Sequence, residues 1–180
     1  MKNLNHRLPL FFCLLLLIAS FGVQAQDKTK RLGNKPRTGS SNASFPVTKG
    51  HQVGIKMKAG RKPVQLLSLE FGAENFRKDS IPFKVNVYRF DKEQTTELLS
   101  KAEILAAVPA GKNRINVDLS KYDLTVQGDI LVSIEFIKTM GTSLSFSIGL
   151  FNGGTYRYEG TEWKKMPVAG VDFNITAKKL

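Results

Sequence analysis

The chain has one stretch in which aromatic, cationic and turn-forming residues lie close together, FNGGTYRYEGTEWKK at residues 151–165. Asn152 and the two glycines after it are typical of a turn, because asparagine and glycine tolerate a positive φ. A second turn is indicated at Gly160. The pattern therefore predicts a β-hairpin, and its chemistry depends on which face meets the core.

The aromatic side chains of this hairpin are the best candidates for a binding surface. Tyr156 and Tyr158 are two residues apart and share one face of a strand, and Trp163 follows after the turn. Pointing outward, they form a platform of the kind that stacks on sugars or anchors protein partners. Pointing inward, the only tryptophan belongs to the core. We predict a ligand or partner surface at Tyr156, Tyr158, Trp163, Arg157 and Lys164, with Trp163 at least partly exposed.

Two strand carboxylates are candidates for acid–base chemistry. Glu70 and Glu135 each lie on the face opposite the main apolar set of a predicted strand. Two carboxylates about 5–10 Å apart across a cleft would suit glycoside hydrolysis. Because most strand carboxylates are solvated or paired with a lysine, a glycan-active hydrolase is the alternative and not the main hypothesis.

The other residues that could react or hold a metal form no recognisable motif. Without His6, which belongs to a leader, His51 is the only histidine, and a lone histidine is weak evidence for a catalytic triad. The HExxH, P-loop and dinucleotide-binding motifs are absent. Asp123, Gln127, Gly128 and Asp129 offer oxygen atoms that could bind calcium, but their spacing matches no known calcium-binding loop. We predict no catalytic residue, no metal and no cofactor.

The first 25 residues are typical of a secretory signal peptide. Lys2 and Arg7 precede the apolar run LPLFFCLLLLIASFGV. The segment ends with Val23, an apolar residue at position −3, and Ala25, a small residue at position −1 of a cleavage site. The run is shorter than the roughly 20 residues of a spanning helix. We predict cleavage after Ala25 and export to the periplasm, the outer membrane or the extracellular space. Cys13, the only cysteine, leaves with the leader, so the exported chain has no disulfide and no thiol nucleophile.

The exported chain is strongly basic. Loss of Lys2 and Arg7 leaves 25 of the 27 basic residues against all 15 acidic ones, a net charge of about +10. This balance favours anionic partners such as nucleic acid, lipid head groups or acidic glycans, although lysines also solubilise a β-protein and guard its edges. We predict an anionic surface as a candidate partner and no specific nucleic-acid site. Residues 26–43 are rich in Lys, Arg, Gly and Ser and predict a flexible basic tail, extended near its end.

From Phe45 onward the apolar residues alternate with period two, which marks strands with one buried face. We predict an all-β domain over residues 44–180, built as a two-sheet antiparallel sandwich, jelly-roll-like, with eight or nine strands and little helix. One or two helical turns are allowed in residues 93–108, where 104–108 can instead extend into a strand. The predicted inward sets are Val53, Ile55 and Met57; Leu67, Leu69 and Phe71; Phe83, Val85 and Val87; Ile115, Val117 and Leu119; Ile130, Val132, Ile134 and Phe136; Leu144, Phe146, Ile148 and Leu150; and Val171, Phe173 and Ile175.

Three motifs carry a resemblance to a known family: VDLSKYDL, ILVSIEFIK and GGTYRY followed by EWKK. Over roughly residues 44–176 the chain resembles a secreted β-sandwich module of Bacteroidetes envelope proteins. That module often follows a carboxypeptidase-regulatory-like domain, in whose place this chain has the short basic tail. The resemblance implies a β-sandwich in an envelope or extracellular setting. It implies no established reaction and therefore no catalytic residue.

These observations favour a non-catalytic secreted or envelope-associated interaction module that binds glycan or protein. The hydrolase that uses strand carboxylates is one alternative. A structural accessory domain of an envelope assembly is the other, and an apolar patch or open sheet edge without a pocket would be typical of it.

Overall fold

The computed structural model describes residues 28–36 and 41–180, and the predicted signal peptide lies outside them. Within these residues the chain is all-β and antiparallel, with one short 3-10 helix at Ser120–Tyr122. No helix of this part is long and apolar enough to cross a bilayer. The strands are β1 (Thr29–Gly33), β2 (Asn42–Pro46), β3 (Gln52–Asn75), β4 (Ile81–Asp91), β5 (Gln94–Leu98), β6 (Ile104–Val108), β7 (Gly111–Asp118), β8 (Thr125–Phe136), β9 (Ser143–Leu150), β10 (Thr155–Tyr158), β11 (Trp163–Met166), β12 (Ala169–Val171) and β13 (Asn174–Lys179).

These thirteen strands exceed the predicted eight or nine. Strands β1, β2, β11 and β12 are only three to five residues long, so an alternation of period two does not mark them. In the other direction, two of the predicted inward sets, Val53–Met57 and Leu67–Phe71, belong to one strand of 24 residues, β3. Between them, Gly60 has a φ of +95° and lies at a shift in the β3–β8 register, so the strand continues through a bulge.

Strand β3 is the centre of the hydrogen-bonded network. The main path runs β1-β13-β3-β8-β4-β5, and β3 also pairs with β7, β9 and β10. Its first half pairs with β8 and β10, and its second half pairs with β13, β7 and β9. The remaining pairs are β6 with β4, β2 and β12 with β9, and β11 with β10. One long strand therefore connects the aromatic hairpin to the rest of the fold.

The core forms from the apolar faces that the alternation predicts, and most of the predicted inward residues are confirmed as buried. Phe71 lies at the centre of a cluster of rings. Its ring centroid is 4.9 Å from that of Phe173, 5.7 Å from Phe83 and 5.8 Å from Phe146. Edge-on and tilted pairs at these distances add to the energy of burial.

Two predicted inward residues do not reach the core. Leu66 is fully buried while Leu67 is half-buried, because the β3–β13 register shifts beside them and inverts the alternation. Leu150 is 58% exposed because it is the last residue of β9, and the chain turns at Phe151 with a φ of +56°.

The segment allowed for helix, residues 93–108, contains strands β5 and β6 and no helix. Both strands pair with β4, and β6 covers the extension predicted at 104–108. The short run of good helix formers is outweighed by backbone pairing and by burial of Ile104 and Val108 against the core.

Two strands also lie at the segment predicted as a flexible tail. In β1, residues Thr29–Gly33 pair with β13 and bury Leu32, and β2 pairs with β9 from Asn42 onward. The polar side chains of an edge strand can remain in solvent while its backbone completes the ladder. The sheet therefore begins ahead of the predicted boundary at residue 44.

Candidate binding site

The β10–β11 register decides which hairpin residues share a surface. Tyr158 lies opposite Trp163, and Tyr156 lies opposite Lys165, so these four residues share one face. Arg157 lies opposite Lys164 on the other face. The predicted surface is therefore divided between the two faces of the hairpin, and Lys165 joins the aromatic residues where Lys164 was expected.

Tyr156 is a core residue of this face. Its side chain is 2% exposed and its ring packs 5.1 Å from Phe90, beside the buried Leu131. The hydroxyl donates a hydrogen bond to Glu93 in the β4–β5 turn. The structure thus differs here from the predicted ligand surface, because a second small cluster forms beneath the hairpin.

Trp163 and Tyr158 lie at the rim of that cluster, and both side chains are half-buried. The indole is 5.5 Å from the ring of Tyr158 and 6.0 Å from that of Tyr88, centroid to centroid. We call Tyr88, Tyr158 and Trp163 the aromatic triad. Contact between the three rings fixes the indole at the surface at a low entropic cost.

Tyr158 and Trp163 of the aromatic triad border a cleft of about 390 Å³. One wall is the β4–β5 turn and the other is the tip of the β10–β11 hairpin. The shape of the cleft therefore depends on the position of these two hairpins relative to each other. Its lining consists of Lys92, Glu93, Gln94, Thr95, Tyr158, Thr161, Glu162 and Trp163. Aromatic rings beside hydroxyl, amide and charged groups are typical of a site for a polar ligand that has apolar faces.

A polar network lies next to the triad on the same face. The side-chain oxygen of Gln52 accepts hydrogen bonds from Ser133 Oγ at 2.8 Å, Asn86 Nδ2 at 3.2 Å and the Tyr88 hydroxyl at 3.3 Å. Asn86 also donates to Glu135 Oε2 at 2.8 Å. Gln52, Asn86 and Ser133 are buried, so the network orients the Tyr88 ring.

The sequence by itself did not indicate this network. Its members are the polar residues of alternating strands, which the pattern assigns to solvent. They meet because Tyr158, Gln52, Glu135 and Lys84 occupy one cross-strand row, and Ser133 and Asn86 lie in the next row on the same face. The only local signal for the network is that Ser133 and Glu135, two residues apart, share one face of β8, as Asn86 and Lys84 do in β4.

The two candidate acids lie in different environments. Glu135 pairs through Oε2 with Lys84 at 3.2 Å, and it lies opposite Gln52 at the first residue of β3. Glu70 lies near the other end of β3 and is 3.8 Å from Arg114. Each carboxylate therefore faces its own cation, which is the pairing expected of strand carboxylates in general.

The candidate calcium ligands are likewise engaged with protein groups. Asp129 pairs with Lys56 at 3.0 Å, and Asp123 accepts a hydrogen bond from Gln65 at 3.1 Å. In residues 28–36 and 41–180, no three His, Cys, Asp or Glu side chains lie close enough to hold a metal. His51 is half-buried after a turn, and its backbone amide donates to Thr48.

Glu93 holds the two walls of the cleft together. Besides the Tyr156 hydroxyl, its carboxylate faces Lys56 at 3.5 Å and Lys165 at 3.6 Å. The Tyr156 hydrogen bond, followed by the two ammonium groups, holds the pKa of Glu93 below its ordinary value. Burial and the same hydrogen bond raise the pKa of Tyr156. Lys92 and Glu93 both adopt a positive φ, 47° and 63°, to make this turn.

The pKa of Glu93 predicts a contribution to acid stability. Because this pKa is lower in the folded chain than in the unfolded chain, the carboxylate stabilises the fold above its unfolded pKa. That contribution is lost as the pH falls through the folded pKa. We expect Glu93→Gln to flatten the loss of stability below about pH 4.5 in urea titrations. Glu103→Gln, at an exposed position between β5 and β6, is the control; equal flattening in both variants would contradict the assignment to Glu93.

Two solved structures are similar in fold to this chain. A structure of the cysteine protease and lectin-like domains of Cwp84, a surface-layer-associated protein of Clostridium difficile, matches 78% of this chain and 37% of its own, with 11% identity and a TM-score of 0.55. A structure of the clostridial cysteine protease Cwp84 after propeptide cleavage matches 87% of this chain and 41% of its own, with 12% identity and a TM-score of 0.61. This chain therefore spans less than half the length of either protein.

At these identities the likeness concerns the fold alone. No protein-family model matches the sequence, and no curated protein matches it significantly.

Proposed function

We propose that this protein is an exported, non-catalytic module that binds a neutral glycan in the cleft beside Trp163. The observation that carries the proposal is the half-buried indole, held between Tyr88 and Tyr158 at the edge of a cleft of about 390 Å³. A pyranose has apolar C–H faces and a rim of hydroxyl groups, and the cleft presents rings and polar groups to match them.

The charge of the cleft favours a neutral ligand. Its two acidic side chains already face cations beside the cleft, Glu93 with Lys165 and Glu162 with Lys164 at 3.4 Å, and Lys92 adds one positive charge to the lining. The cleft therefore has no concentrated charge of one sign. Gln94, Thr95 and Thr161 can exchange hydrogen bonds with sugar hydroxyls without a charge to neutralise.

We further propose that the strands form a two-layer, jelly-roll-like β-sandwich. Support comes from the cluster around Phe71, which brings together rings from β3, β4 and β9, and Phe173 between β12 and β13. Support for export comes from the predicted signal peptide and from the resemblance to a secreted envelope module. The Cwp84 structure includes lectin-like domains and its protein is associated with a surface layer, which is compatible with this setting.

The test is a binding comparison between two aromatic variants. Trp163→Ala should weaken binding to the best neutral oligosaccharide of a glycan panel about 10- to 30-fold, since a stacked indole contributes roughly 1.5–2 kcal/mol. The matched control is Phe151→Ala, which removes an 86% exposed ring outside the cleft and should leave binding unchanged. Binding is measured by calorimetry, and quenching of the Trp163 emission reports the site.

Stability separates this proposal from a purely structural indole. Because Trp163 is half-buried, its replacement should cost less than the roughly 3–5 kcal/mol of a fully buried tryptophan. Full binding by Trp163→Ala, or equal loss in the Phe151→Ala variant, would rule out the cleft as the glycan site. Turnover of the bound glycan would contradict the non-catalytic assignment.

A further inference from the structure

A second depression lies at the other end of the β3–β8 ladder, and it is basic. Its volume is about 410 Å³ and its lining consists of Lys30, Gly60, Arg61, Lys62, Pro63, Val64, Lys179 and Leu180. Val64 pairs with Val126 near the start of β8, whereas Gln52, beside the aromatic triad, pairs with Glu135 near its end. We call this depression the basic pocket.

A bulge in β3 exposes two of its cations. The β3–β8 register shifts between Lys58 and Gly60 and again between Gly60 and Val64, so the residues between leave the ladder. Regular alternation would place neighbouring side chains on opposite faces. In the bulge, Arg61 and Lys62 are both exposed, and Pro63, which has no N–H to donate, lies outside the β3–β8 pairing.

The opposite wall comes from the edge of the sheet. Lys30 lies in β1 and Lys179 in β13, which pair as antiparallel neighbours. The Lys30 ammonium donates a hydrogen bond to the carbonyl of Ala59 and lies 3.5 Å from where a Cβ at Gly60 would be. Lys30 is half-buried, so one cation is held in place over the bulge before any ligand arrives.

The pocket has a concentrated positive charge. Lys30, Arg61, Lys62 and Lys179 line it, and no acidic side chain does. Among the described residues none of these four forms an ion pair with a carboxylate, in contrast to Lys56, Lys84 and Arg114. The side chains of the lining therefore have a net charge of +4.

We propose that the basic pocket binds an anionic saccharide, with its sulfate, phosphate or carboxylate groups against the four cations and a sugar ring against Pro63 and Leu180. A volume of about 410 Å³ lies within the usual range of ligand pockets, roughly 300–1,000 Å³. This site is separate from the cleft at Trp163, and its occupation does not depend on the function proposed there.

The shape and lining favour a saccharide over other polyanions. Single-stranded nucleic acid is bound by stacking bases on aromatic side chains, and the basic pocket has none. A bilayer binds to broad basic surfaces or to apolar side chains that enter it. Here the cations surround a depression, in which Leu180 is the only exposed large hydrophobic residue.

The test compares two pairs of charge-removing substitutions. The purified protein is titrated with a sulfated hexasaccharide prepared from heparin, and with maltohexaose as a neutral saccharide of the same length. Arg61→Gln with Lys62→Gln should weaken binding of the sulfated probe about tenfold. Lys49→Gln with Lys138→Gln removes the same charge from exposed positions beyond the other end of β8 and should change binding less than about twofold.

Further measurements give the outcomes. Lys30→Gln should also weaken binding of the sulfated probe, and added salt should weaken that binding by screening the charges. Trp163→Ala should leave binding of the sulfated probe unchanged. Equal losses in the two double variants would show a general effect of net charge and overturn the proposal. So would the absence of binding, a loss of maltohexaose binding in Arg61→Gln with Lys62→Gln as large as the loss of sulfated-probe binding, or tighter binding of single-stranded DNA or of phosphatidylserine vesicles.

Discussion

Replacing Arg114 by glutamine is expected to destabilise the fold by about 3–5 kcal/mol. The side chain of Asp172 is completely buried, and its carboxylate accepts hydrogen bonds from Arg114 Nη1 and, at 2.8 Å, from the amide of Gly72. Glutamine removes the positive charge and leaves a carboxylate in a medium of low dielectric constant. Ions in that position are costly unless a partner neutralises them.

Urea titration followed by Trp163 fluorescence measures this cost. The matched control is Arg89→Gln, because Arg89 and Glu97 also pair at 3.1 Å but their side chains are 48% and 60% exposed. That surface pair should contribute less than about 1 kcal/mol. In an Asp172→Asn background, Arg114→Gln should cost much less, since no buried charge remains. A loss in Arg114→Gln as small as in the control would contradict the importance of this ion pair.

Replacing Phe71 by alanine should cost about 3–5 kcal/mol as well. The ring is completely buried and contacts Phe83, Phe146 and Phe173, which lie in different parts of the chain. Its removal leaves a cavity that rings anchored on separate strands cannot all close. The free energy of unfolding therefore falls by the loss of burial and also by the cavity term.

Phe151→Ala is the control for the same change of residue type at an 86% exposed position, where we expect a change of less than about 0.5 kcal/mol. Both variants are measured by urea titration at one pH. A loss below about 1.5 kcal/mol at Phe71 would mean that its neighbours collapse into the space. The four rings would then not form the rigid centre of the core.

Much of the fold can be predicted from alternation alone. Val53, Ile55 and Met57, for example, are all buried, because the period of two along a strand depends only on local backbone geometry. The prediction fails where a bulge changes the spacing of buried residues, as at Leu67, and where a strand is too short and too polar to show a pattern, as in β1. It also fails for Asp172, which the alternation places outward and the structure buries against Arg114.

The candidate site was predictable only in part. The turn residues and paired tyrosines mark a hairpin with aromatic residues on one face, and β10 and β11 form it as expected. The sequence does not indicate that Tyr156 is buried while Trp163 stays at the surface. That difference depends on Phe90 of β4, Leu131 of β8 and Glu93 of the β4–β5 turn, which approach Tyr156 only through the β3–β8–β4 ladder.

By itself the sequence determined the all-β class, the inward faces of most strands, the aromatic hairpin and the excess of positive charge. Each of these is a local or additive property, set by the period of the backbone, by turn chemistry or by composition. Only the tertiary structure decided which polar residues meet beside Tyr88, which side of the hairpin borders a cleft, and that Lys30 and Lys179 join Arg61 and Lys62 in one pocket. These groupings depend on register between distant strands, and a shift of one residue would send every side chain to the other face.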